Sequence, residues 1–113
     1  MRKSGLLLLA AFSFVSFQAS GEYYSGKCEY MRFDNQDSYS GRCRIASSTD
    51  AQGHYIEEVQ AGKFKIKIVL EERQGVWSRI SFNGKPGMGF ETNRTMFHYS
   101  PMDLSAILEI SDP

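Results

Sequence analysis

Lys63-Phe64-Lys65-Ile66-Lys67-Ile68-Val69-Leu70-Glu71-Glu72 decides the fold class. Lysine and apolar residues alternate through three repeats. Successive side chains of a β-strand point to opposite faces, so Phe64, Ile66, Ile68 and Leu70 share one face and the lysines the other. A helix would scatter the same residues around its circumference. The stretch therefore predicts a half-buried strand with one dry face and one wet, basic face.

The flanking sequence repeats the pattern at short spacing. Glu22 to Phe33 and Tyr39 to Ala46 read as two strands around the polar turn cluster Asp34-Asn35-Gln36-Asp37-Ser38. His54 to Gln60 is a third, joined to the opening stretch by a turn at Ala61-Gly62. If that turn holds two residues, Glu58 faces Lys65 and Val59 faces Phe64. Val76 to Phe82 alternates again, and its phase sends Trp77 away from the face of Ile80 and Phe82. Asn83-Gly84-Lys85-Pro86-Gly87 is the strongest turn signal. Met88 to Asn93 and Thr95 to Tyr99 read as short strands or as one strand kinked near Asn93-Arg94, and Ala106 to Ile110 is the final strand. Ser100-Pro101-Met102-Asp103-Leu104 carries a helix-start signal and predicts one helical turn. Seven or eight short strands with turns between them predict an all-β antiparallel barrel or sandwich, with the barrel favoured because closure removes exposed edges.

The chain of 113 residues has room for one domain. Its first 21 residues read as a secretory signal peptide: basic Arg2 and Lys3, the apolar run Leu6 to Phe17, and the small residues Ala19-Ser20-Gly21. The run is shorter than the roughly 20 residues a membrane span needs. No cysteine follows the small residues, so no lipid anchor is expected. Residues 22–113 form the predicted domain, and without Arg2 and Lys3 its net charge is about −2. That balance argues against general nucleic-acid binding, which goes with a strongly basic domain.

Cys28 and Cys43 are the only cysteines. In an exported chain, periplasmic or extracellular, they predict a disulfide. A hairpin turning near Gln36 would bring them nearly opposite each other. Closing a loop of this length contributes on the order of 3 kcal/mol through lost chain entropy.

The search for chemistry is mostly negative. His54 and His98 lie in separate strands, and no clustered metal-ligand spacing occurs. There is no Gly-x-Ser-x-Gly elbow and no phosphate-binding loop. Adjacent glutamates, Glu57-Glu58 and Glu71-Glu72, point to opposite faces of a strand and read as solvated and edge residues rather than a catalytic pair. A hydrolase would need one histidine beside a carboxylate in a cleft. Asn93-Arg94-Thr95 matches a glycosylation sequon. No catalytic residue, metal or cofactor is expected.

Three surface features remain. The row Lys63, Lys65 and Lys67 reads first as a solvated strand face, and in its functional reading as a docking strip for an acidic partner. The Asn83 to Gly89 stretch, carrying Lys85 and flanked by Trp77, Phe82, Met88 and Phe90, reads as a hairpin turn or as a projecting binding loop. Tyr23, Tyr24, Tyr30, Phe33 and Tyr39 are expected to be mostly core. These features predict a non-enzymatic exported binding protein with a protein partner, as a monomer or a homodimer formed by strand pairing. An inhibitor of a hydrolase such as a lysozyme is one concrete form. Small exported β-proteins that block lysozyme share this format, but their Ser-Gly-x-x-Tyr stretch is not found here. The alternative is a carrier or sensor of a small apolar ligand inside the barrel.

Overall fold

A computed structural model describes residues 22–93 and 96–111. The expected signal peptide and the sequon at Asn93-Arg94-Thr95 lie wholly or largely outside the described residues. The chain folds as eight strands: β1 (Glu22–Arg32), β2 (Ser38–Thr49), β3 (Tyr55–Ala61), β4 (Phe64–Gln74), β5 (Trp77–Phe82), β6 (Lys85–Asn93), β7 (Met96–Pro101) and β8 (Ala106–Ser111). Each strand pairs antiparallel with the next, and β8 returns to pair with β1, closing the barrel. Every described strand thus has two neighbours, although Glu22 to Gly26 pair only with β2 and Ser38 to Cys43 only with β1. No helix among the described residues is long and apolar enough to cross a membrane.

Alternation fills the barrel. On β4, Phe64, Ile66 and Ile68 point inward while Lys65 and Lys67 are exposed. Leu70 is half-buried near the barrel end, and the ladder slips between Leu70 and Glu72. The interior is packed by Cys28, Ile45, Val59, Ile66, Ile80 and Leu108, each at most 2% exposed. Tyr30 meets Phe64 edge-on with ring centres 4.9 Å apart. The outer wall is studded with lysine, arginine and glutamate, the reverse of a lipid-facing barrel.

Cys28 and Cys43 form a disulfide inside the core, with Cα atoms 5.7 Å apart. The two are diagonal rather than opposite: Cys28 pairs with Gly41, and Cys43 with Gly26. Such a bond fits an oxidising compartment. The turn between β1 and β2 contains Gln36 in a left-handed conformation, φ 59°.

Several sequence expectations are corrected in register and detail. The turn after β3 is Gly62-Lys63, with Ala61 opposite Phe64, so Val59 faces Ile66 and Glu58 faces Lys67. Gly62 takes φ +62°, and a Cβ there would stand 2.6 Å from the Tyr39 ring, so glycine is required at the first position of the turn. The helix-start signal becomes a single hydrogen-bonded turn, Leu104 N–H to the Pro101 carbonyl at 3.0 Å. Pro101 is the last residue of β7 and so is not the first of a helix. The early aromatics are mostly not core: Tyr30 is buried, but Tyr23 and Phe33 are 56% and 48% exposed. Tyr23 occupies an outward position, and Phe33 lies beyond the end of β1.

Candidate functional site

The predicted site residues divide among different places. Lys63 leaves the strand for the turn and pairs with Asp37 at 3.2 Å. Lys85 pairs with Asp103 at 3.1 Å at the same barrel end. The Asp103 carboxyl is held down to about 2, first by the Ser105 hydroxyl and backbone N–H and then by Lys85. Both cations are therefore matched locally.

The Asn83 loop does not project. Only Asn83 and Gly84 lie between β5 and β6, at φ 50° and 84°, the left-handed pair that a tight hairpin needs. Asn83 is also strapped to β4: its backbone N–H donates to the Lys67 carbonyl at 2.9 Å, and its Oδ1 accepts from the Lys67 N–H at 2.7 Å. The residues from Lys85 onward are strand. Met88 and Phe90 point outward from β6, where Phe90 supports Trp77 at a ring separation of 4.5 Å. Trp77, Met88 and Met102 line a shallow apolar depression of about 390 Å³.

Lys65, Lys67 and Asn83 lie together on a different wall. They border a depression of about 490 Å³ over β1 to β4, whose other walls include Tyr23, Arg44, Glu58 and Gln60. Cross-strand register explains the grouping. Arg44, Gln60 and Lys65 are level with one another, and so are Ala46, Glu58 and Lys67. Lys27 and Arg42 are level on the adjacent pair. Arg44 lies over the Tyr23 ring, 4.5 Å from its centre.

Charge pairing separates this wall from the rest of the surface. Among the described residues, Arg32, Lys63, Arg73, Arg79 and Lys85 each hold a carboxylate. Lys27, Arg42, Arg44, Lys65 and Lys67 are all exposed, and none of them forms an ion pair with a described carboxylate. Those five are the ones on the β1–β4 wall. Even Glu58, directly across from Lys67, forms no such pair. Sequence reasoning found the lysines of β4 and missed Arg42 and Arg44. Their signal is the same alternation, Arg42-Cys43-Arg44-Ile45, on a strand whose inward residues are equally apolar.

A second polar cluster sits inside one barrel end. Glu57 is only 6% exposed, contrary to the expectation of solvated and edge glutamates. Its inward position is dictated by β3 register, with Glu58 outward. Tyr24, Tyr55 and Tyr99 donate hydroxyls to its carboxylate at 2.9, 3.2 and 3.3 Å. Ser47 Oγ joins Tyr55 at 2.9 Å. Burial, followed by the negative charge of Glu57, pushes the Tyr99 hydroxyl far above its ordinary value of 10.0. The arrangement satisfies a buried carboxylate and closes the barrel mouth with polar groups.

Each histidine stands beside a carboxylate. His98 Nδ1 is 3.1 Å from Glu109, and Nε2 is 3.3 Å from the Thr92 hydroxyl. Both ring nitrogens are thus engaged along the outer barrel wall. His54 lies 3.3 Å from Asp50, which also accepts the backbone N–H groups of His54 and Gln52 as a turn cap. No group of three or more histidines, cysteines and acidic residues able to hold a metal occurs among the described residues.

Fold and surface together define an eight-stranded meander barrel with a packed interior and one basic outer wall. Comparison with protein-family models, with curated proteins and with solved structures finds no match.

Proposed function

We propose that this protein is an exported, non-enzymatic binding protein that docks an acidic protein partner on the outer wall of β1 to β4. The observation that carries the reading is the division of its cations. Every described cation elsewhere is matched by a carboxylate, while the five on this wall hold none. Exposed ion pairs contribute little to stability, so leaving these cations unmatched costs the fold almost nothing and leaves their charge available to a partner. Tyrosine and arginine, side by side at Tyr23 and Arg44, are residue types enriched at protein interfaces. The disulfide-tied barrel supplies a rigid backing, which limits the ordering cost of binding.

Inhibition of a hydrolase is one form this docking takes, because glycoside hydrolases hold paired carboxylates in a cleft that a cation can enter. The interior carries closely packed side chains, so an apolar carrier role gains no support from it. The general reading is tested by capture on the wild-type protein compared with the double variant Arg44→Glu, Lys67→Glu. Acidic proteins retained by the wild type and lost from the variant support it. Equal retention by both overturns it. The inhibitor form is checked by adding micromolar protein to a lysozyme activity assay, where unchanged turnover excludes that form.

A further inference from the structure

Resting on the docking wall just described, we infer that its occupant is an extended acidic peptide segment of a partner protein, with carboxylates at alternate positions. The spacing of the cations carries this. Arg42 and Arg44 are two residues apart on β2, and Lys65 and Lys67 are two apart on β4. Residues two apart on one strand face are separated by about 6.8 Å. An extended peptide presents its own alternate side chains at the same interval. Both β2 and β4 run antiparallel to β3, so the two rows run in the same direction. They lie two strands apart, about 10 Å. A peptide laid along the barrel wall would thus meet cations at three successive levels: Arg42, then Arg44 with Lys65, then Lys67.

Glu58 disfavours the competing occupant. It is exposed between the rows, level with Lys67. A densely charged polymer such as a sulfated polysaccharide would set an anion against it. A peptide can leave that position neutral or place a cation there. Gln60, level with Arg44 and Lys65, donates through Nε2 to the Gly62 carbonyl at 2.8 Å and leaves its side-chain oxygen as an uncharged acceptor. Tyr23, flat beneath Arg44, gives that guanidinium a fixed backing.

The test uses fluorescence anisotropy with two labelled peptides of identical composition, one alternating glutamate with serine and one holding its glutamates in a single block. Unlabelled heparin serves as a competitor. The alternating peptide is expected to bind at least ten-fold more tightly than the block peptide, and to weaken with salt. Arg44→Glu with Lys67→Glu should abolish binding. Arg79→Glu, which changes charge on another wall, should leave it unchanged. Equal binding of the two peptides overturns the alternating register while leaving the docking wall intact. Stronger binding of heparin than of either peptide overturns the peptide assignment. Absence of binding to all three overturns the wall itself. Far-ultraviolet circular dichroism of each variant separates lost binding from lost fold.

Discussion

At the residue scale, two adjacent glutamates have opposite consequences. Glu57 points into the barrel and accepts three tyrosine hydroxyls; Glu58 points out among the cations. Glu57→Ala leaves the Tyr99 hydroxyl without its acceptor, and an unsatisfied buried polar group costs about 1–3 kcal/mol. Glu58→Ala should stay within about 0.5 kcal/mol of wild type. Urea unfolding of both variants checks the contrast. The same cluster sets an alkaline limit. The folded pKa of Tyr99 is raised, so the folded state keeps a proton that the unfolded state releases near the ordinary value of 10.0. This contribution is fully present below that pH and declines as the pH climbs beyond it. Wild-type stability should therefore fall through the alkaline range, and Tyr99→Phe should flatten the decline, as measured by denaturant midpoints at stepped pH. The alternation of β3 turns Glu57 inward with Val59 and Ala61, but it does not reveal the tyrosine hydroxyls, two of them from other strands, that make its burial tolerable.

At the scale of elements, one short connection pins the wall. Asn83 combines a left-handed backbone with a side-chain hydrogen bond to β4. Asn83→Ala forfeits both and should destabilise by about 1–2 kcal/mol in urea unfolding. Gly87 is constrained differently. A Cβ at that position would stand 2.5 Å from the Ser100 carbonyl oxygen, where β6 and β7 approach closely. Gly87→Ala should cost about 1–3 kcal/mol and lower the melting temperature measured by circular dichroism. The strands themselves were legible because alternation is a local signal. The inward residues Phe64, Ile66 and Ile68 and the outward Trp77 follow directly from it. Turn phase was less legible: moving the turn by one residue to Gly62-Lys63 carried Lys63 off the strand and set Glu58 against Lys67. The basic wall was half visible, in the lysines of β4. Its other half lies on β1 and β2, where Arg42 and Arg44 carry the same alternation, and cross-strand register sets Arg44 level with Lys65.

At the scale of the whole molecule, the disulfide and barrel closure act on different parts of the chain. Cys28 and Cys43 are 0% and 5% exposed, so reductant should leave the native bond intact and cleave it readily once denaturant opens the core. The double variant Cys28→Ala, Cys43→Ala should lose about 3 kcal/mol in denaturant unfolding. The bond ties β1 to β2 alone. Closure instead joins the first described strand to the last, with Tyr30 opposite Leu108 and Cys28 opposite Ile110. Synthesis delivers the strands from β1 onward, and each later strand finds a neighbour already made. β1 must wait for the final one. A chain stopped before Ala106 would hold two open edges and is expected to aggregate, seen as loss of the monomer peak in size-exclusion chromatography. The fold thereby counts its own strands: only a chain carrying both β1 and β8 can lock shut.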